Sequence, residues 1–104
     1  MKSPLLINAA EMERQHPKTF HRPSDRDLQA IDAGSSVKVC HEAERFWVSV
    51  TRRKGDVITG AVNNYLVISP LQFGEKIRFH VDNIFDVQIE EGKAGVLRRT
   101  SWVG

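Results

Sequence analysis

Residues 37–64, VKVCHEAERFWVSVTRRKGDVITGAVNN, constrain the fold of this chain more than any other part of it. Three runs of period-two alternation follow one another there with only short polar breaks. Period two is the repeat of a β-strand with one face buried. Val37, Val39 and His41 share one face, while Lys38 and Cys40 share the other. After a turn at residues 42–44, Phe46, Val48 and Val50 alternate with Trp47, Ser49 and Thr51. Lys54, Gly55 and Asp56 supply a tight turn into a third strand over Val57–Val62, whose Gly60 marks a bulge or a close approach of another backbone. Asn63 and Asn64 tolerate positive φ and suit a further turn. Runs joined this tightly predict an antiparallel meander.

The flanking segments extend that pattern. Residues 65–68, stopped by Pro70, predict a fourth strand; Phe73, Gly74 and Glu75 turn the chain; Ile77, Phe79 and Val81 then alternate with Arg78 and His80 in a fifth. Residues 82–87 are expected to add one helical turn or a closing edge. The tail from Glu90 is expected to be loose except where Val96, Leu97, Trp102 or Val103 dock. Upstream, residues 8–15 predict about two helical turns, with Asn8 as N-cap and Glu11 three residues on, ending before Pro17. A second short helix over residues 25–31 is signalled by the Ser24 cap, by Asp25 and Asp27 at the positive end of the helix dipole, and by the apolar edge of Leu28 and Ile31. Gly34 ends it.

These elements point to a mainly β fold, a small five-stranded SH3-like barrel with one or two short N-terminal helices, with an OB-like barrel as the alternative. Closure is the argument for a barrel, because five strands in two layers leave sheet edges exposed. A chain of 104 residues has room for one domain. Residues 1–23 read as a lead-in, 24–89 as the barrel and 90–104 as a tail.

Composition narrows the function classes. A formal net charge of +2 is too small for the footprint of a dedicated nucleic-acid binder, so any basic surface must be local. Cys40 is the only cysteine, which excludes an internal disulfide and a cysteine-rich zinc site and fits a reducing, cytoplasmic compartment. The apolar run at residues 5–10 is broken by Asn8 and yields to Glu11 and Glu13, too short for a signal or membrane segment. No membrane partner is expected.

The segments HPKTFHRPSDRDL, VKVCHEAERFWVSV, GDVITGAVNN and FGEKIRFHVDNIFDV resemble small bacterial proteins of unknown function related to the YegJ-like domain. The shared pattern is an acidic residue before an aromatic-Trp-Val strand, then a Gly-containing strand ending in Asn, then a Gly-acidic turn into a strand closed by Asn-Ile. It spans residues 16–87 and departs at Gly34-Ser35 and Gly74-Glu75, where Gly-Asp is usual. The resemblance implies a strand-and-turn framework and no catalytic or binding residues.

Phosphate-loop, dinucleotide-binding and nucleophile-elbow strings are absent, as are His-x-x-x-His and Cys-x-x-Cys spacings, so neither an enzyme, a cofactor nor a metal is expected. Cys40 and His41, as strand neighbours, point to opposite faces. In a closed barrel Cys40 and His80 would fall on the same outward face of paired strands, a remote route to hydrolase or redox chemistry. The stronger pattern is a polar, locally basic sheet face built from Lys38, Trp47, Ser49, Thr51, Arg53, Arg78 and His80. Such a face suits recognition of a protein partner, the leading expectation, or of single-stranded nucleic acid, its rival. The plainer alternative seats Phe20 or Leu28 over Trp47 and leaves Arg52, Arg53, Lys54, Arg98 and Arg99 as solvated turns and tails.

Overall fold

The computed structural model describes residues 1–91 and 96–99. Two short helices come first, α1 (Ala9–Gln15) and α2 (Asp25–Gln29). Both start as their caps dictate: the Asn8 side chain accepts from the amide of Glu11, and the Ser24 hydroxyl accepts from that of Asp27. Six strands follow, β1 (Ser36–His41), β2 (Glu44–Lys54), β3 (Val57–Val62), β4 (Lys76–His80), β5 (Asp86–Glu91) and β6 (Val96–Arg99), with a 3₁₀ turn at Val81–Asn83 between β4 and β5. They form one antiparallel sheet in the order β4-β3-β2-β1-β5-β6.

The meander appears where alternation places it. The β1–β2 turn uses Glu42 (φ 49°) and Ala43 (φ 68°), and the β2–β3 turn uses Gly55 (φ 60°). Positive φ at both central residues, as at Glu42 and Ala43, or at the first alone, as at Gly55, is what two-residue hairpin turns favour. Two alternating sets then separate. Val37 and Val39, Phe46, Val48 and Val50, Ile58 and Val62, Ile77 and Phe79, and Val87 point inward into one core. The sheet curls far enough for residues of β4 and β5 to share that core, and Leu6, Leu28, Ile31, Leu71 and Ile84 close it.

Three expectations change. The sheet is open: β4 does not hydrogen-bond to β5, so barrel closure is not reached. Instead, Lys2 lies parallel to β4, its N–H donating to Lys76 O at 3.3 Å and its carbonyl accepting from Arg78 N at 2.9 Å, which blunts that edge. Residues 82–87 supply both the end of the 3₁₀ turn and the start of β5, which pairs with β1; Val96 and Leu97 belong to β6, while Trp102 and Val103 lie outside the described residues.

The third change is at residues 65–68, which are not a strand. The Glu44 carboxylate accepts from the amides of Val67 (2.7 Å), Ile68 (3.0 Å) and Ser69 (2.8 Å), so the hydrogen bonds a strand would need go to one side chain. Those amides, Val67 first, hold the Glu44 carboxyl below its ordinary value of 4.5. A carboxyl lowered in the folded state adds stability that is present above its ordinary value and lost as pH falls through the folded one. Acidification below about pH 4.5 is therefore expected to release this loop, read as faster hydrogen exchange at Val67, Ile68 and Ser69. Glu44→Gln should speed the same amides at neutral pH; exchange unchanged by either treatment would refute the clamp.

Candidate functional site

The outward set of side chains is sorted by strand register. On β2, β3 and β4 it forms three rows: Ser49, Ala61 and Lys76; Arg52, Thr59 and Arg78; Lys54, Val57 and His80. The switch from odd to even positions on β2 comes from a bulge between Val50 and Arg52, where Thr51 is the extra residue. Gly60 sits opposite Val50 at this point, and both readings of that glycine hold, since the bulge and a close approach of β2 coincide there.

The bulge redistributes the expected binding residues. Arg53 is paired with Ile58 on the inward side, not beside Trp47. Its guanidinium donates to the carbonyls of Leu28 and Ile31 (3.0 Å to the latter) and to Gly55 O at 2.8 Å, so it closes the C-terminal end of α2. Arg52 and Lys54 take its place on the outward face. Thr51 uses its hydroxyl on Thr59 O at 3.2 Å. Ser49 stands half-buried between Ser36 and Ala61. His80 is drawn into the β4–β5 connection, where its Nδ1 accepts from the amide of Asp82 at 3.0 Å.

Trp47 and Lys38 form a second neighbourhood. They are cross-strand partners, and the Lys38 ammonium lies 4.9 Å from the indole centroid and 4.0 Å from the Asp86 carboxylate. One face of the indole is therefore covered by a cation from its own sheet. The lead-in packs elsewhere: Ala9, Cys40 and Phe85 form a cluster joined by Met12 and Phe20, with the Phe20 and Phe85 rings 5.1 Å apart, and Leu28 sits in the main core. Cys40 is thus a packing residue whose thiol burial pushes above its ordinary value of 9.0, against opposing effects from Arg45 and the Ala43 amide. β2 and β3 separate Cys40 on β1 from His80 on β4, and the register sets Cys40 level with Arg45 and His80 level with Lys54, at opposite ends of β2, so the two do not meet.

The outward face holds a basin of about 560 Å³ lined by Met1, Arg52, Lys54, Val57, Thr59 and Arg78. Of these, only Arg78 was among the expected site residues. The signal that could have found Arg52 and Lys54 is in the sequence: apolar alternation stops at Val50, and the basic run begins just where a glycine on the next strand permits a bulge. Among the described residues, Arg52, Lys54, Lys76 and Arg78 have no carboxylate at ion-pair distance. No cluster of metal-binding side chains occurs among those residues, and no helix among them is long and apolar enough to cross a membrane.

Comparison of the chain with family models, with curated proteins and with solved structures returned no match.

Proposed function

We propose that this chain is a non-catalytic binding module that holds single-stranded nucleic acid on the outward face of β2, β3 and β4. The observation that carries the reading is the convergence of Arg52, Lys54, Lys76 and Arg78 on a surface whose intervening positions, Ser49, Thr59, Val57 and Ala61, are small and uncharged. A polyanion can approach such a floor closely, and among the described residues no carboxylate lies at ion-pair distance from these cations. Trp47 contributes less than its residue type suggests, because Lys38 occupies one side of the ring. Phosphate contact rather than base stacking then dominates affinity. The meander of β2, β3 and β4 supports the SH3-like form of the fold over an OB-like Greek key, and the YegJ-like resemblance is compatible with it. A buried free Cys40 suits a reducing, cytoplasmic setting.

The test is a salt titration of a fluorescently labelled oligonucleotide followed by anisotropy. Four phosphate contacts predict a log-log slope of about −3, or roughly a 50-fold loss of affinity between 50 and 200 mM salt. A flat response would overturn the reading.

A second reading, recognition of a protein partner, is favoured by one observation. The 63–75 loop exposes Tyr65, Val67, Ile68 and Phe73, with Tyr65 and Phe73 stacked 4.8 Å apart. Its signature is a salt-insensitive complex in which those two rings lose accessibility.

A further inference from the structure

We infer that the basin at the β2–β3 turn is a phosphomonoester pocket, which seats the terminal phosphate of the bound strand. The inference rests on the nucleic-acid reading of the same face and concerns how the row of cations ends.

Three side chains from two strands, Arg52, Lys54 and Arg78, line one concavity. The nearest carboxylate in sequence does not neutralise them, because Asp56 is directed to Arg53 at 3.9 Å on the inward side. One flank is walled by residues 1–2, which the Lys2 backbone bonds hold along β4 and which bring Met1 onto the basin. A bridging phosphodiester carries one negative charge and must let the strand leave in two directions. A terminal phosphomonoester carries about −1.5 to −2 at neutral pH, offers three acceptor oxygens and lets the strand leave in one. The charge and oxygen count of the latter match three cations around one concavity walled on the Met1 flank. Two of the three are arginines, whose planar forks suit phosphate oxygens in pairs, while Val57 supplies an apolar floor that is partly open to solvent.

The experiment compares oligonucleotides of one sequence bearing a 5′-phosphate, a 3′-phosphate or hydroxyls at both ends, each labelled away from the tested end. It is run beside a titration with inorganic phosphate followed by backbone amide NMR. One phosphorylated end is expected to bind about tenfold more tightly than the hydroxyl form. Inorganic phosphate should shift the amides of Val57, Thr59 and Arg78 and compete that advantage away. Arg78→Gln should abolish the preference without lowering Tm. Equal affinity for all three ends overturns the inference and leaves the nucleic-acid reading standing. Absence of binding by every oligonucleotide overturns that reading and this inference with it.

Discussion

Gly60→Ala is expected to destabilise the fold by about 2–3 kcal/mol and to lower the midpoint of thermal unfolding, followed by circular dichroism, by roughly 10–20 °C. A Cβ placed on Gly60 would stand 2.5 Å from Val48 Cγ1 and 2.6 Å from Ser49 O. The first contact is with a side chain that is itself fully buried in the main core, so rotation has nowhere to send the methyl. The second is with the backbone of the neighbouring strand, which relaxes only if β2 and β3 separate at the bulge. The two contributions can be told apart by adding Val48→Ala to the glycine variant. That removes the side-chain clash but leaves the carbonyl in place and empties core volume of its own, so the double variant is expected to lose less than the sum of the two single losses. An unchanged midpoint in Gly60→Ala would show that the sheet tolerates the extra carbon, and the tight β2–β3 approach would have to be abandoned.

What is legible in the sequence is local, and what is not depends on distant residues or on the bulge opposite Gly60. Strands β1, β2 and β3 lie in consecutive hairpins, so their alternation and turn residues are local information, and the helix caps at Asn8 and Ser24 are equally local. The β1–β5 pairing joins residues about fifty positions apart, and no local pattern announces which distant strand a sheet edge will accept. Residues 65–68 have the composition of a strand, yet their backbone is claimed by Glu44 from more than twenty residues away. A long-range carboxylate overrode a short-range propensity. For the site, alternation identified the outward face of β2 correctly up to Thr51 and then lost it, because one bulged residue inverts every later assignment on the strand. Arg53 thereby leaves the outward face to Arg52 and Lys54, which line the basin beside the β2–β3 turn rather than the surroundings of Trp47.

Adjacent arginines on opposite faces make that inversion measurable. Arg53→Met removes the donors that reach the Leu28 and Ile31 carbonyls and leaves the methionine in a side-chain position only 17% exposed. Leu28 O keeps a partner in the amide of Ile31, but the Ile31 carbonyl loses its arginine donor, and leaving such an acceptor unpaired costs about 2 kcal/mol. Tm should therefore fall by roughly 8–16 °C, with faster hydrogen exchange along α2, while oligonucleotide affinity, measured on the folded protein, stays within about twofold of the parent. Arg52→Met should do the reverse. It removes an outward, solvent-exposed cation with no carboxylate partner among the described residues, so Tm should hardly move, while affinity falls and the salt slope becomes shallower by about 0.7. If Arg53→Met weakened binding as much as Arg52→Met without loss of stability, the two residues would share a face and the bulge would not govern the site.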